Sequence, residues 1–253
     1  MFKESPRRVY KNNPLKEVVW QAKFPPILSI AVNQPVEFQD SIRKEFPHYS
    51  SESSFEIPAD QLKLFRRAGL EVEGKRSHKF ATRLRDVTVT LTDQFIAVST
   101  NKYSDWDSLL GPIRDALDSF CEIYEPAFFS RLGLRYINIF EIGPLGLADV
   151  PWRELVREQF LGPLVDQESA ESVAEFRAMA LFDMSDPEGS SARVSFGLET
   201  KDQFRLDSDL SIQGEFEKGQ LYDFSSRFNT RIGHIFRSAI TERLDAALDP
   251  IGS

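Results

Sequence analysis

Polar and apolar residues alternate from Val87 to Leu91, a mostly apolar β-prone run returns from Phe95 to Thr100, and the spacing then changes to three and four residues from Trp106 to Tyr124. The first pattern is that of a strand with one buried face, the second that of a strand running back, and the third that of a helix with one buried stripe. Thr92-Asp93-Gln94 supplies the polar turn between the strands, so the stretch predicts a hairpin followed by a helix. Ser104 with Asp107 three residues on forms a capping-box-like start, and Trp106, Leu109, Leu110, Ile113, Leu117, Phe120 and Tyr124 make the stripe. Pro112 removes a hydrogen bond and crowds the carbonyl four residues back, which predicts a kink or a one-turn break near Leu109. Glu125-Pro126 ends the helix, and Phe128 to Phe140 returns as a strand.

The same reading extends to both ends of the chain. Residues 1–14 are polar and basic and read as an extended arm, followed by a strand from Leu15 to Phe24. Pro25-Pro26 bends that strand, and Ile27 to Val32 continues its edge. Asn33 and Pro35 start a helix with Val36, Phe38, Ile42 and Phe46 on its apolar face. Phe55 to Ile57 reads as a weak strand, Ala59 to Leu70 as a short helix or surface excursion, and His78 to Leu91 as one long bent strand. Beyond the Gly143-Pro144-Leu145-Gly146 loop, Asp149 and Pro151 start a helix that buries Trp152, Leu155, Val156 and Phe160. Three strands follow, at 173–184, 193–200 and 204–213. A final helix from Phe224 to Leu248 carries Phe228, Ile232, Ile235, Phe236, Ala239, Ile240 and Leu244 on one continuous stripe.

Strand-strand-helix thus occurs at 87–124 and again at 194–248. The fold class this predicts is α+β: a broad, mostly antiparallel sheet with long amphipathic helices packed on one face, and a β-β-α unit that duplication would explain. Residues 15–253 read as one domain, with 15–142 and 143–253 as pseudo-halves and no linker forcing them apart.

Composition narrows the setting. With 39 acidic against 31 basic residues the net charge is −8, which argues against nonspecific DNA binding by the whole molecule. A single cysteine, Cys121, excludes an intrachain disulfide and a cysteine zinc site. There is no signal-peptide core and no apolar run long enough to cross a bilayer, so the expected location is cytoplasmic.

Several blocks also carry a likeness. Asn13 to Val19 with Phe24-Pro25-Pro26, Phe46-Pro47-His48-Tyr49, Leu91 to Thr100 with Lys102-Tyr103, and Ser130-Arg131-Leu132-Gly133-Leu134-Arg135-Tyr136-Ile137-Asn138 together resemble a sporadically distributed, uncharacterised family of prokaryotic proteins of similar length. The resemblance runs over nearly the whole chain. Patchy occurrence implies mobile genes of the defence or toxin-antitoxin kind, an association that carries no catalytic residue with it.

Chemistry is sparse. His48, His78 and His234 lack metal-ligand spacing, and His234 falls opposite the apolar stripe, toward solvent. Cys121 reads as a small core residue. No phosphate loop, nucleophile elbow or kinase signature occurs. Asp207 and Asp209, two apart on a strand, project to one side and could grip a divalent metal for phosphodiester chemistry; solvation or pairing with Arg205 is the simpler reading. Arg131 and Arg135 flank Gly133 on one strand face, and Arg83 and Arg85 repeat the spacing. If the two strands are neighbours, four guanidinium groups line one face and can fork to phosphates or carboxylates. The alternative is a solvated face of weak ion pairs with Asp86, Glu141 or Glu199.

The reading that follows is a non-enzymatic binding protein of a prokaryotic defence or toxin-antitoxin type system. It recognises a protein partner or an anionic ligand, nucleic acid among them, through Arg83, Arg85, Arg131 and Arg135. It needs no cofactor or metal, has no membrane partner, and leaves a homo-oligomer open. The competing reading is a metal-dependent phosphodiesterase or nuclease using Asp207 and Asp209.

Overall fold

The computed structural model describes residues 2, 4–6, 8–54 and 75–251. Two short strands near the chain ends, β1 (Val9–Tyr10) and β11 (Pro250–Ile251), pair with each other. Between them in sequence come β2 (Leu15–Lys23), β3 (His48–Ser54), β4 (Lys75–Ala81), β5 (Val87–Leu91), β6 (Phe95–Thr100), β7 (Phe129–Glu141), β8 (Phe176–Ser185), β9 (Glu188–Thr200) and β10 (Gln203–Phe216). These form one sheet of nine strands in the order β3-β4-β5-β6-β2-β7-β10-β9-β8, with every neighbouring pair antiparallel. The helices are α1 (Leu28–Val32), α2 (Val36–Ile42), α3 (Trp106–Tyr124), α4 (Gln167–Ser172), α5 (Lys218–Ala239) and α6 (Glu242–Ala247). The class is α+β with a large antiparallel sheet.

Connectivity repeats along the chain. β2 lies against β6, the last strand of the β4-β5-β6 meander, and α3 follows; β7 lies against β10, the last strand of the β8-β9-β10 meander, and α5 follows. The two runs meet where β2 pairs with β7, Trp20 opposite Leu134 and Val18 opposite Tyr136.

The two-residue period of the strands separates two unlike faces. On one side, Val18, Trp20 and Ala22 of β2, Leu132, Leu134 and Tyr136 of β7, and Leu206, Leu210 and Ile212 of β10 are buried. The Trp20 indole N–H donates to Ser225 Oγ of α5 at 2.8 Å, which fixes that helix over this side of the sheet. α3 is keyed to it by rings: Phe120 lies 4.6 Å from Phe24, just beyond β2, and 6.3 Å from Phe129 of β7. On the other side stand Arg131, Gly133 and Arg135 of β7 with Asp207 and Asp209 of β10.

Local details depart from sequence expectation for identifiable reasons. α3 is capped by Asp105 rather than Ser104: the Asp105 carboxylate accepts the Ser108 N–H at 2.8 Å, and Ser108 Oγ returns toward the Asp105 N–H. The helix passes through Pro112 without a break. The carbonyl that loses its donor belongs to exposed Ser108, where water can take the place of the missing N–H. Ile27 to Val32 does not extend β2; it turns into α1, because Ile27 N–H is drawn to the Asp93 carbonyl at 2.8 Å. His78 to Leu91 is a hairpin, β4 and β5, not one bent strand. Arg85 takes a left-handed φ of 57° at the turn, and Thr82 closes it by accepting the Val87 N–H and donating to Asp86. That hydrogen bond holds the Asp86 carboxyl below the usual carboxylate range.

The segment after Pro151 buries Trp152, Leu155, Val156 and Phe160 as expected, but as separate 3-10 turns rather than an α-helix. The last helix is two helices. α5 starts at Lys218, with Gln220 accepting the Glu217 N–H. It stops at Ala239, since Ile240 bridges to Val156 and Thr241 N–H donates to the Leu155 carbonyl. Thr241 then caps α6. The expectations for 55–57 and 59–70 lie outside the described residues.

Gly197 marks the tightest approach in the sheet. At φ +154°, a Cβ there would sit 2.0 Å from the Phe176 carbonyl oxygen of β8. Gly197→Ala is expected to loosen β8 from β9 and to cost about 1–3 kcal/mol in urea unfolding, since neither backbone can yield without breaking the ladder.

Candidate functional site

Two places concentrate polar chemistry: the open sheet face, and a recess beneath the N-terminal arm.

On the open face, register sets every partner. Asp209 lies between Arg135 on β7 and Arg193 on β9, and Asp207 is one step along the same side. Arg135 grips Asp207 with two parallel bonds, Nε to Oδ1 at 2.8 Å and a terminal nitrogen to Oδ2 at 2.6 Å. Arg205 reaches the same Oδ2 at 3.2 Å and Glu199 at 2.8 Å. Asp207 is 5% exposed, so its charge is taken up by guanidinium groups rather than water. Arg131 donates to Gln21 at 3.1 Å and stands 3.9 Å from Asp209. Burial pushes the Asp209 carboxyl above the usual range, and Arg131, Arg135 and Arg193 pull it back. Gly133 makes room for this lattice: a Cβ there would meet the Arg131 guanidinium at 2.6 Å, so that side chain lies flat along its own strand.

Arg131 and Arg135 therefore share a face, while Arg83 and Arg85 do not join them. Both lie exposed in the turn between β4 and β5, where Arg85 approaches His48 Nδ1 at 3.4 Å. β5 is three strand positions from β7, on the order of 15 Å. The four-guanidinium cluster is corrected to a pair, and the acids that suggested a metal site are the partners of that pair. Among the described residues, no group of three or more His, Cys, Asp or Glu side chains is placed to hold a metal ion. Cys121 is half-buried, and desolvation raises its thiol to about 11, so it stays protonated at neutral pH.

The recess lies between the arm and α5, at the end of β2 and β7. Its volume is about 150 Å³, and its walls include Tyr10, Leu15, Ile232 and Phe236. At its polar end, the Tyr136 hydroxyl donates to Asn229 Oδ1 at 2.9 Å and lies 3.0 Å from the Tyr103 hydroxyl. The arm is latched over it: Tyr10 O–H donates to Asp245 Oδ1 at 2.7 Å, and Arg8 and Arg237 both ion-pair with the same carboxylate. Lys11 N–H and Asn12 N–H donate to the Asp249 and Leu248 carbonyls. Burial, with Asp245 adding to it, pushes Tyr10 up to about 12.

His234 is the residue that sequence reasoning misplaced. It is 8% exposed, not solvent-facing, because the arm crosses the flank of α5 that the helix stripe leaves uncovered. Its Nδ1 has no hydrogen-bond partner, nor do Ser5 Oγ and Arg237 Nε, and all three residues line the recess. No spacing signal could have found this group, since Ser5 comes to the same recess as His234 only through the arm's path. Desolvation, with Arg231 adding to it, holds His234 below its ordinary 6.5, and burial does the same to His78, whose Nδ1 lies 3.0 Å from the Tyr49 hydroxyl.

Two outcomes follow. Asp207→Ala should cost about 1–3 kcal/mol in urea unfolding. That is less than for a fully buried pair, because the Arg135 side chain is 45% exposed. In the Asp207→Ala background, removing Arg135 should add little. For pH, a base with a depressed folded value binds fewer protons folded than unfolded, so its contribution is complete above 6.5 and is lost as pH falls through that value. The melting temperature should decline as pH falls below 6.5. Replacing His78 and His234 together by phenylalanine should flatten that slope, while the loss below the carboxylate range persists through Asp86 and Asp186. No family model and no curated protein matches the chain.

Proposed function

We propose that this chain is a non-enzymatic binding protein, in keeping with the defence or toxin-antitoxin type setting that its sequence resemblance implies. It receives a small ligand in the recess beneath the arm. The observation that carries this reading is a recess of about 150 Å³ whose lining residues Ser5, His234 and Arg237 each keep a buried polar atom without a hydrogen-bond partner. Buried polar atoms are ordinarily paired, and three unpaired ones in residues that line one recess mark side chains that a bound molecule can draw on. The volume suits a molecule of about benzene size. The mostly apolar wall favours a ring or short chain, and the Arg237 and Ser5 donors favour an acceptor or anionic group at one end.

Recognition is favoured over metal-dependent phosphodiester cleavage because Asp207 is committed to Arg135 and Arg205, and Asp209 is hemmed by three guanidinium groups. Arg131 and Arg135 then serve a protein partner as a rigid polar face, since the aspartates already answer much of their charge. Within the same reading, helices α3 and α5 are the cover of one sheet face, and the repeated connectivity is a duplicated β-β-α unit.

The test is titration with benzoate and with a panel of small aromatic and aliphatic carboxylates, followed by backbone amide shifts. Binding is expected to perturb the amides of 229–237 and to be abolished by His234→Phe, which fills the recess. If every acid leaves those amides unmoved, the ligand reading fails and the recess is a water site.

A further inference from the structure

The sheet ends at β8, a strand of ten residues with no neighbour on its outer side among the described residues. Long edge strands are normally blunted by proline, lysine, a bulge or short length, because their unpaired N–H and C=O groups invite another strand. From Phe176 to Met184 β8 has none of these: it keeps regular register with β9 and contains no proline, glycine or lysine. On its open face Met179 and Leu181 are 60% and 61% exposed, side by side between Arg177 and Asp183.

We infer that β8 pairs antiparallel with β8 of a second copy, joining two sheets across a two-fold axis at Ala180. The argument is self-complementarity. A two-fold pairing sets each residue opposite the one equally far beyond the centre. Only registers centred on a residue keep the two faces of the sheet continuous. Centred on Ala180, Arg177 faces Asp183, Met179 faces Leu181, and Ala178 faces Phe182, each pair occurring twice. Opposite charges and apolar pairs then coincide, and small meets large. Shifting the centre to Met179 sets Arg177 against Leu181 and Asp183 against Glu175, a like-charge pair. Shifting it to Leu181 sets Met179 against Asp183. The ion pair that Arg177 now makes, with Glu175 at 3.1 Å, is between side chains 70% and 57% exposed and yields readily to a cross-strand partner. Directly opposed charges and apolar pairs are the unit of sheet stabilisation, and the central register satisfies all of them at once.

This goes beyond ligand binding in the recess and stands apart from it, so either can fail alone. Sedimentation velocity on the full chain should give twice the chain mass, dissociating on dilution. Arg177→Asp alone, and Asp183→Arg alone, should each weaken the dimer by about tenfold or more, since two attractive pairs become repulsive. The double variant, with the charges exchanged, should restore it. Both positions are exposed, and an unchanged circular dichroism spectrum and melting temperature will show that the single variants fold. A wild-type chain that stays monomeric at every concentration overturns the inference. So does a dimer indifferent to the single changes, which would use another surface, and so does a double variant that stays weak, which would mean a different register.

Discussion

A strand near the middle of a sheet has no lateral freedom: its backbone bonds are taken on both sides, and alternate side chains must serve two unlike environments. β7 lives under that constraint. It pairs with β2 along one edge and with β10 along the other. Leu132, Leu134 and Tyr136 supply apolar surface and a hydroxyl to the helix side, while Arg131, Gly133 and Arg135 supply charge to the open side. A one-residue slip would exchange the two sets and bury guanidinium groups under α5. The Trp20 hydrogen bond to Ser225 and the ring contacts of Phe24, Phe120 and Phe129 are consequences of that register, since each needs β2 and β7 aligned as they are.

The same register decides what the charges are for. Arginine and aspartate spaced by two on adjacent strands are brought opposite each other, and the acids are satisfied by the bases. A face that reads as strongly basic on β7 alone, or as acidic on β10 alone, is a mutually neutralised lattice when the strands are side by side. Unspent hydrogen-bonding capacity lies instead on the other side, where the arm closes over α5. There, one carboxylate, Asp245, gathers Arg8, Tyr10 and Arg237, and the residues it holds wall a recess on whose lining Ser5, His234 and Arg237 each keep a buried polar atom without a protein partner.

The two ends of the sheet contrast. Among the described residues, β3 has seven residues and is serine-rich, while β8 has ten and exposes Met179 and Leu181. The polar lattice on β7 and β10 and the apolar pair at the β8 edge therefore lie on one continuous surface.

By itself, the sequence determined the elements whose signal is local: β2, the β5-β6 hairpin, α3, β7 and the β8-β9-β10 meander all follow from period, turn residues and breakers. It also placed Arg131, Gly133 and Arg135 on one face, because a strand's period is a property of its own backbone. Tertiary structure decided what depends on a partner far along the chain. Ile27–Val32 became α1 through a bond to Asp93; the final apolar stripe was cut at Ile240 by the segment after Trp152; and Arg83 and Arg85 were turned away from β7 by a hairpin. His234 went inside because residues more than two hundred positions earlier lie across it. Periodicity records which side of an element avoids water, and only the assembled neighbours decide whether the other side meets water, an opposite charge or a cavity.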